Sequence, residues 1–131
     1  MENVKFIRDS LYGNIKVSGV ILELLETAEV QRLQGIKQLG FTYLVYPGAN
    51  HTRLEHSLGT AFIAEKICEA LEIEKEEVVI ASLLHDIGHG PFSHTLENII
   101  YERTGKDHVD IGKDIILGKK NLGDVSVAEI L

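Results

Sequence analysis

The amino-acid sequence predicts a mostly α-helical fold with a short β-hairpin at its start. Two capping signals, T-x-x-E at Thr52 and S-x-x-E at Ser126, mark helix starts, and apolar residues with helical spacing dominate the chain after the first 17 residues. The 131 residues have the length of one domain and are enough to bury a core. We therefore expect one domain over residues 1–131, with the hairpin in 1–17 and a helical core in 18–131.

The first half of the chain shows local signals for each of its elements. Residues 4–17 alternate weakly in polarity around the turn-like SLYG, which predicts the hairpin. Ser18 and Thr27 are candidate N-caps for two short helices, the second of which runs through VQRLQGIKQL and ends at Gly40. The aromatic and β-branched residues of 41–51 are broken by a Pro-Gly pair, so this segment is predicted to be a loop.

The second half of the chain contains the strongest helical signals. The capping pattern at Thr52 opens the longest predicted helix, over residues 53–71, and the charged link EIEKEE leads into a helix that ends at residues 85–86. Further helices are predicted over 93–103 and 107–117. The S-x-x-E pattern at Ser126 opens another helix just where the sequence stops, so we expect the chain to be a fragment of a longer protein.

Composition argues against several classes of function. Thirteen basic residues against 20 acidic ones give a net charge of -7, which is unsuited to a protein that coats nucleic acid. No apolar run approaches the roughly 18 residues of a membrane span. The N-terminal MENVKFIRD lacks the apolar core of a signal peptide, and the single cysteine, Cys68, cannot form an internal disulfide. We therefore expect a cytoplasmic protein with no membrane association and no strong nucleic-acid binding.

Residues 85–94, HDIGHGPFSH, carry the strongest chemical signal. They hold three of the six histidines and one carboxylate, and they follow the apolar run VVIASLL. The pair His85 and Asp86 therefore arrives at the end of a buried helix and needs a partner. Imidazole and carboxylate together suit a borderline divalent ion such as iron, manganese or zinc. The glycines and the proline that follow turn the chain so that His89 and His94 can face the same space.

His56 could join this pair only if its helix packs side by side with the helix that ends at His85, as in an antiparallel helical pair. Because His85 and Asp86 are consecutive, they lie about 100° apart on a helix and can bind one ion only near a helix end. The competing interpretation is a hydrogen-bonded surface pair, which is the commoner explanation of a His-Asp dipeptide taken alone.

Three longer runs are more specific than the dipeptide: QRLQGIKQLG, HTRLEHSLGTAFIAE and ASLLHDIGHGPFSHTLE. With the residues between them, over about 5–108, they closely resemble the HD-domain phosphohydrolases, and within that superfamily the deoxynucleoside triphosphate triphosphohydrolases. The resemblance implies an HD-domain helical bundle whose C-terminal part is absent from this chain. It also implies a nucleotide substrate and a homo-oligomer.

The same resemblance implies a metal site. Family members hold one metal with a histidine, the His-Asp pair and a distant aspartate, which places His56, His85 and Asp86 as ligands of one divalent ion: iron, manganese, zinc or magnesium. The fourth ligand has no counterpart in the sequence, where Asp124 is the nearest late aspartate and a poor candidate.

Two further residues match family positions that contact substrate. Arg53 would bind phosphate, for which an always-charged guanidinium fork is suited, and Gln38 would bind the sugar, because an amide both donates to and accepts from a hydroxyl. Without the resemblance, each would be an ordinary residue on a helix surface.

Four residues match the family's catalytic positions. His89 and His94 would lie along the phosphate chain, one stabilising charge and the other protonating the departing 5′ oxygen. Glu97 and His108 would form a carboxylate-imidazole dyad. The resemblance thus implies metal-dependent hydrolysis of a deoxynucleoside triphosphate to nucleoside and triphosphate. The alternative is a non-catalytic nucleotide-binding or assembly module that lacks a complete metal site.

Overall fold

The computed structural model describes residues 3–131, apart from the side chain of Ser93. Two antiparallel strands precede a set of helices, which confirms the predicted mostly α fold with an N-terminal hairpin. Met1 and Glu2, which the prediction grouped with the hairpin, lie outside the described residues. The elements are β1 (Val4–Asp9), β2 (Gly13–Ser18), α1 (Gly19–Leu25), α2 (Ala28–Gln31), α3 (Arg53–Leu71), α4 (Glu76–Leu84), α5 (Ser93–Thr104), α6 (His108–Ile116) and α7 (Val127–Ile130).

The side chain of Asp9 stabilises the hairpin turn. One carboxylate oxygen of Asp9 accepts hydrogen bonds of 2.8 Å from the backbone N–H groups of Leu11 and Tyr12, and Gly13 takes a φ of 75° that favours glycine. Alternate residues of β2, Ile15 and Val17, are buried. The alternation read from the sequence therefore corresponds to one face of the hairpin packed on the core.

The helix predicted to run from Thr27 to Gly40 is wrong beyond its first turn. The hydroxyl of Thr27 does cap α2, but α2 ends at Gln31 and continues as a 3₁₀ turn over Arg32–Gly35 before the chain becomes extended. The buried residues of this stretch are Val30, Leu33 and Ile36. Their spacing of three matches the three residues per turn of a 3₁₀ helix and not the 3.6 of an α-helix, so burial of this stripe favours the tighter winding.

Helix α3 begins and ends as predicted, although its capping pattern is only half formed. The Thr52 hydroxyl accepts a hydrogen bond from the Glu55 backbone N–H. The Glu55 carboxylate does not turn back to the helix start, because it accepts a 2.6 Å hydrogen bond from the Ser10 hydroxyl in the hairpin turn. Ser18 also stands before a helix without a side-chain capping bond. The long helix is thus tied to the hairpin at its first turn.

Helices α3 and α4 form an antiparallel pair across a short connection, and their facing sides join the hairpin, α1 and the chain's C-terminal helices in one hydrophobic core. Leu24, Leu33, Leu83, Ile87 and Val127 are inaccessible to solvent. The predicted helices over 93–103 and 107–117 correspond to α5 and α6, and Ser126 forms a complete capping box with Glu129 at α7. Among residues 3–131, no helix combines the length and apolar character needed to cross a bilayer.

Candidate functional site

The antiparallel packing of α3 and α4 brings two distant histidines face to face. His56 lies in the first turn of α3 and His85 caps the C-terminus of α4. Their Nε2 atoms are 3.2 Å apart. Helix α4 ends at Leu84, and the Asp86 side chain enters the same space, with its Oδ2 3.4 Å from His56 Nε2 and 3.3 Å from His85 Nε2.

These three donor atoms form a nearly equilateral triangle with sides of 3.2, 3.3 and 3.4 Å. Ligands held at roughly 2.1 Å from one ion lie roughly 3.0 Å apart in octahedral and roughly 3.4 Å apart in tetrahedral geometry. The triangle therefore fits a single divalent ion, and its two imidazoles and one carboxylate suit the borderline metals. The three residues are those that the family resemblance implied as metal ligands.

The imidazole of His85 is oriented by the backbone. Its Nδ1 lies 2.7 Å from the Ser82 carbonyl oxygen, which can only accept, so Nδ1 carries a proton and Nε2 faces the triangle. In the protonated ring Nε2 donates to Asp86, and in the neutral ring it presents a lone pair to the triangle. The hydrogen bond with Asp86 raises the pKa of His85, whereas burial lowers the pKa of His56. This backbone contact is the kind of second-layer support that metal-binding histidines use.

Arg53 lies against the triangle, where its Nη1 donates a 2.7 Å hydrogen bond to Asp86 Oδ2. Arg53 is only 2% exposed, so both members of this ion pair are removed from water. Burial alone would raise the pKa of Asp86, but the hydrogen bond from His85 and the positive charges of His85 and Arg53 hold it well below its usual value. Asp86 is therefore a carboxylate, as a metal ligand must be.

A second group of ionisable side chains lies beside the triangle, where α5 meets the start of α6. Glu97 accepts from Nδ1 of His94 at 2.8 Å with one oxygen and from Nδ1 of His108 with the other. Hydrogen bonds from His108 and His94 lower the pKa of Glu97 to about 2. The family resemblance implied a dyad of Glu97 and His108, and in the structure the carboxylate bridges two histidines.

His89 connects the two groups. The residue is 2% exposed, its ring stacks on His108 with centroids 3.9 Å apart, and its Nε2 is 3.5 Å from Asp86 Oδ1. Burial, followed by the charge of Arg53, lowers the pKa of His89 to about 4. At neutral pH this imidazole is uncharged, so it acts as a hydrogen-bonding group and not as a cation.

Close backbone packing holds the loop that carries His85 to His89 against α6. A Cβ atom added at Gly88 would lie 1.8 Å from the His108 carbonyl oxygen and 2.5 Å from the Gly112 nitrogen. Arg32 fixes the same loop from the other side, because its guanidinium donates to the carbonyls of Ile87 and His89. Sequence reasoning missed Arg32, since a bond to carbonyls 55 and 57 residues away leaves no local pattern.

Gln38 lies outside any helix, contrary to the helix predicted there, and its side-chain oxygen is 2.6 Å from His51 Nε2. It lines a cavity of about 580 Å³ that His56 also borders. The hairpin turn contributes Tyr12 to the same cavity, a role that the sequence did not indicate. A cavity of this size next to the triangle has room for a small-molecule ligand.

Asp124 does not reach the triangle. It borders a separate cavity with Glu23, Glu26 and Gly123. Within residues 3–131, the groups of histidine and acidic side chains close enough to hold an ion are the triangle and the trio His89, His94 and His108. Within the described part of the chain, the side chains that could hold an ion at the triangle are therefore three.

Comparison with known proteins decides the family. Residues 53–131 match the family model described as HD domain, which covers more than half of the chain. The chain belongs to the HD domain family. Over 128 residues, this HD domain is 49% identical to an uncharacterised protein of Methanocaldococcus jannaschii, a match that covers 98% of this chain and 27% of that protein. Human deoxynucleoside triphosphate triphosphohydrolase SAMHD1 is 40% identical over 107 residues, or 74% of this chain and 17% of the human protein.

Two solved structures share the fold of this HD domain. A hypothetical protein from Aquifex aeolicus superposes with a TM-score of 0.84 at 43% identity, covering 98% of this chain and 33% of that one. A phosphohydrolase from Bacteroides thetaiotaomicron superposes with a TM-score of 0.81 at 38% identity, covering 89% of this chain and 31% of that one. The HD domain described here thus spans between about a sixth and about a third of the length of these four relatives.

Proposed function

We propose that this chain carries the metal-binding part of a nucleotide phosphohydrolase, and that the substrate is a deoxynucleoside triphosphate cleaved to nucleoside and triphosphate. The observation that carries the proposal is the triangle of His56, His85 and Asp86, whose donor atoms are 3.2 to 3.4 Å apart beside a buried arginine. The names of the Bacteroides and human relatives support phosphate-ester hydrolysis and the deoxynucleotide substrate.

His56, His85 and Asp86 would hold one divalent ion, with iron, manganese, zinc and magnesium as candidates. When bound, such an ion supplies Lewis-acid stabilisation of phosphoryl oxygens and lowers the pKa of water. Three protein ligands leave coordination positions for other groups, which is the arrangement of a catalytic rather than a structural site. The fourth protein ligand implied by the family resemblance has no candidate among residues 3–131.

Arg53 and Gln38 would bind the substrate. Arg53 uses Nη1 to hold Asp86, and its fixed positive charge beside the triangle would attract the α-phosphate and offset the negative charge that develops during hydrolysis. Gln38 lines the adjacent cavity, where its amide would bind the sugar. His89, uncharged and buried, would donate a hydrogen bond to a phosphate oxygen.

The proton required by the reaction would come from the bridged histidines. Hydrolysis joins the oxygen of water to the α-phosphorus, breaks the bond to the 5′ oxygen and delivers a proton to that oxygen. Glu97 holds His94 and His108 by Nδ1, so the Nε2 side of each ring is directed away from the carboxylate. A protonated Nε2 of His94 would donate to the departing 5′ oxygen, and Glu97 would stabilise the imidazolium before transfer.

Metal content and product release test the proposal together. Wild-type protein loaded with Mn²⁺ should contain one ion per chain and release triphosphate from a deoxynucleoside triphosphate. His85→Ala should lose the bound ion and should lower the rate of triphosphate release by more than about 100-fold. His51→Ala is the matched control for metal content, because His51 lies outside both histidine groups. Activity unaffected by His85→Ala would contradict the proposal.

The incomplete ligand set favours one alternative, a non-catalytic nucleotide-binding or assembly module. Such a module would retain nucleotide binding in the cavity next to Gln38 without metal-dependent product release. Nucleotide affinity measured with and without Mn²⁺, alongside triphosphate release, separates the two functions. The homo-oligomer and the cytoplasmic location stay predictions, and sedimentation of the purified protein would test the first.

A further inference from the structure

Two short segments of the chain pair beside the start of α3 and hold Gln38 and His51 next to each other. The backbone N–H of Gln38 donates to the His51 carbonyl oxygen at 3.2 Å, and the backbone N–H of Arg53 donates to the Ile36 carbonyl oxygen at 2.8 Å. The residues between these bonds form an antiparallel bridge. Because Ile36 and Arg53 are buried, the paired segments are anchored at one end and carry Gln38 and His51 at the other.

The side chains of Gln38 and His51 are joined as well. Nε2 of His51 lies 2.6 Å from Oε1 of Gln38. An amide oxygen can only accept, so Nε2 carries a proton and donates it to this bond. We propose that His51 is a positioning residue that holds the Gln38 amide with its NH₂ group toward the bound sugar. This inference rests on the proposed function, in which Gln38 binds the sugar of the substrate.

The bond to His51 determines which part of the Gln38 amide is left for a ligand. Oxygen and nitrogen lie on opposite sides of the amide carbon, so the nitrogen points away from the imidazole when the oxygen faces it. Neither the backbone bond nor the side-chain bond of Gln38 uses this nitrogen. Both residues line the cavity of about 580 Å³ that His56 also borders. Without His51, the amide could rotate about its last side-chain bond and present its oxygen instead.

An NH₂ group held in this way selects a hydrogen-bond acceptor on the sugar. In a deoxynucleoside triphosphate the 5′ oxygen carries the phosphates, so the 3′ hydroxyl is the free hydroxyl and would accept from Gln38. A 2′,3′-dideoxynucleoside triphosphate lacks that oxygen and leaves the NH₂ group without this partner. The ratio of kcat/KM for the two substrates therefore measures the contact. In the wild type it should favour the deoxy substrate by about 3- to 10-fold, as expected for one uncharged hydrogen bond.

Two substitutions of His51 test the positioning role with both substrates. His51→Phe keeps a ring but removes the donor, so it should lower kcat/KM for the deoxy substrate by about 3- to 10-fold, mainly through KM, and leave the dideoxy substrate nearly unchanged. His51→Gln retains an N–H donor and should restore part of the preference. A purely structural role would lower kcat/KM for both substrates equally. Both variants should still hold one Mn²⁺ ion, because His51 lies outside the metal-binding groups.

Gln38→Ala completes a double-mutant cycle with His51→Phe. Each substitution alone should abolish the preference for the deoxy substrate, and the two together should cause no further loss, because both remove the same contact. Losses that simply add would overturn the proposal. Circular dichroism of each variant checks that the chain remains folded.

Nuclear magnetic resonance of the substrate-free protein tests the bond itself. Long-range correlation of the ring protons with the ring nitrogens reports which nitrogen is protonated, and the signal missing in His51→Phe identifies His51. The neutral ring should carry its proton on Nε2. A proton on Nδ1 would mean that the Gln38 amide nitrogen donates to His51, and it would overturn the proposal.

The outcomes separate this inference from the proposed function. Triphosphate release by a wild type that shows no preference between the substrates, or by a His51→Phe variant that keeps the preference, would overturn the positioning role and leave the proposed function in place. If the protein binds nucleotides without hydrolysing them, the ratio of the two affinities replaces kcat/KM in the same comparison. Absence of both hydrolysis and nucleotide binding would contradict the proposed function and the sugar contact together.

Discussion

Replacement of Gly88 by alanine should destabilise the protein and displace His108 in the candidate site. The added Cβ would lie 1.8 Å from the His108 carbonyl oxygen and 2.5 Å from the Gly112 nitrogen. Ordinary van der Waals contact needs about 3.4 Å, so the start of α6 must move outward by roughly 1.5 Å or the loop must deform. Overpacking of this kind costs about 1–3 kcal/mol, which for a chain of this size lowers the melting temperature by about 4–12 °C.

Gly90→Ala is the matched control in the same loop. Its added Cβ would meet its nearest neighbour, a methyl of Ile100, at 3.8 Å, which is ordinary contact. Thermal unfolding followed by circular dichroism measures the stability difference, and triphosphate release measures the effect of moving His108 relative to Glu97. If Gly88→Ala melts at the same temperature as Gly90→Ala, the close packing of the loop on α6 is not a feature of the folded protein.

Three other predictions follow from the described contacts. The Glu97 carboxyl has a pKa of about 2 in the folded protein, below its ordinary value of 4.5, so the hydrogen bonds to its carboxylate stabilise the fold above pH 4.5 and lose that effect as the pH falls toward 2. Urea unfolding should show that the stability difference between wild type and Glu97→Gln shrinks over this range. Arg32→Met removes two charged hydrogen bonds and should cost about 1.5–3 kcal/mol in urea unfolding, whereas the exposed Arg8→Met should change stability by less than about 0.5 kcal/mol. Leu33→Ala empties a fully buried position and should cost about 2–5 kcal/mol, whereas Leu39→Ala, at a site 49% exposed, should cost far less; equal losses would place the core elsewhere.

Local patterns predicted the parts of the fold that local physics determines. The Thr52 hydroxyl caps α3 as its sequence position indicated, and helix α3 runs over the predicted residues. The hairpin, α5 and α6 were likewise visible as alternation, caps and breakers. The prediction of an α-helix after Gln31 was wrong because burial of Val30, Leu33 and Ile36, at a spacing of three, overrides the local α-helical propensity.

The residues of the candidate site were also predicted only in part. The resemblance implied His56, His85 and Asp86 as a group, and the structure places their donor atoms together because α4 ends where the pair begins. The bridging of His94 and His108 by one carboxylate was only half visible, since it depends on the angle between α5 and α6. Arg32 and the hairpin residue Tyr12 were invisible in the sequence, because each reaches the site through tertiary contacts with distant segments.

Anomalous X-ray diffraction from crystals of the protein soaked in Mn²⁺ tests the central claim most directly. One anomalous peak should lie at roughly 2.0–2.2 Å from Nε2 of His56, Nε2 of His85 and Oδ2 of Asp86. An absence of any peak at saturating Mn²⁺, or a peak held by other residues while these three side chains point into separate environments, would contradict the account.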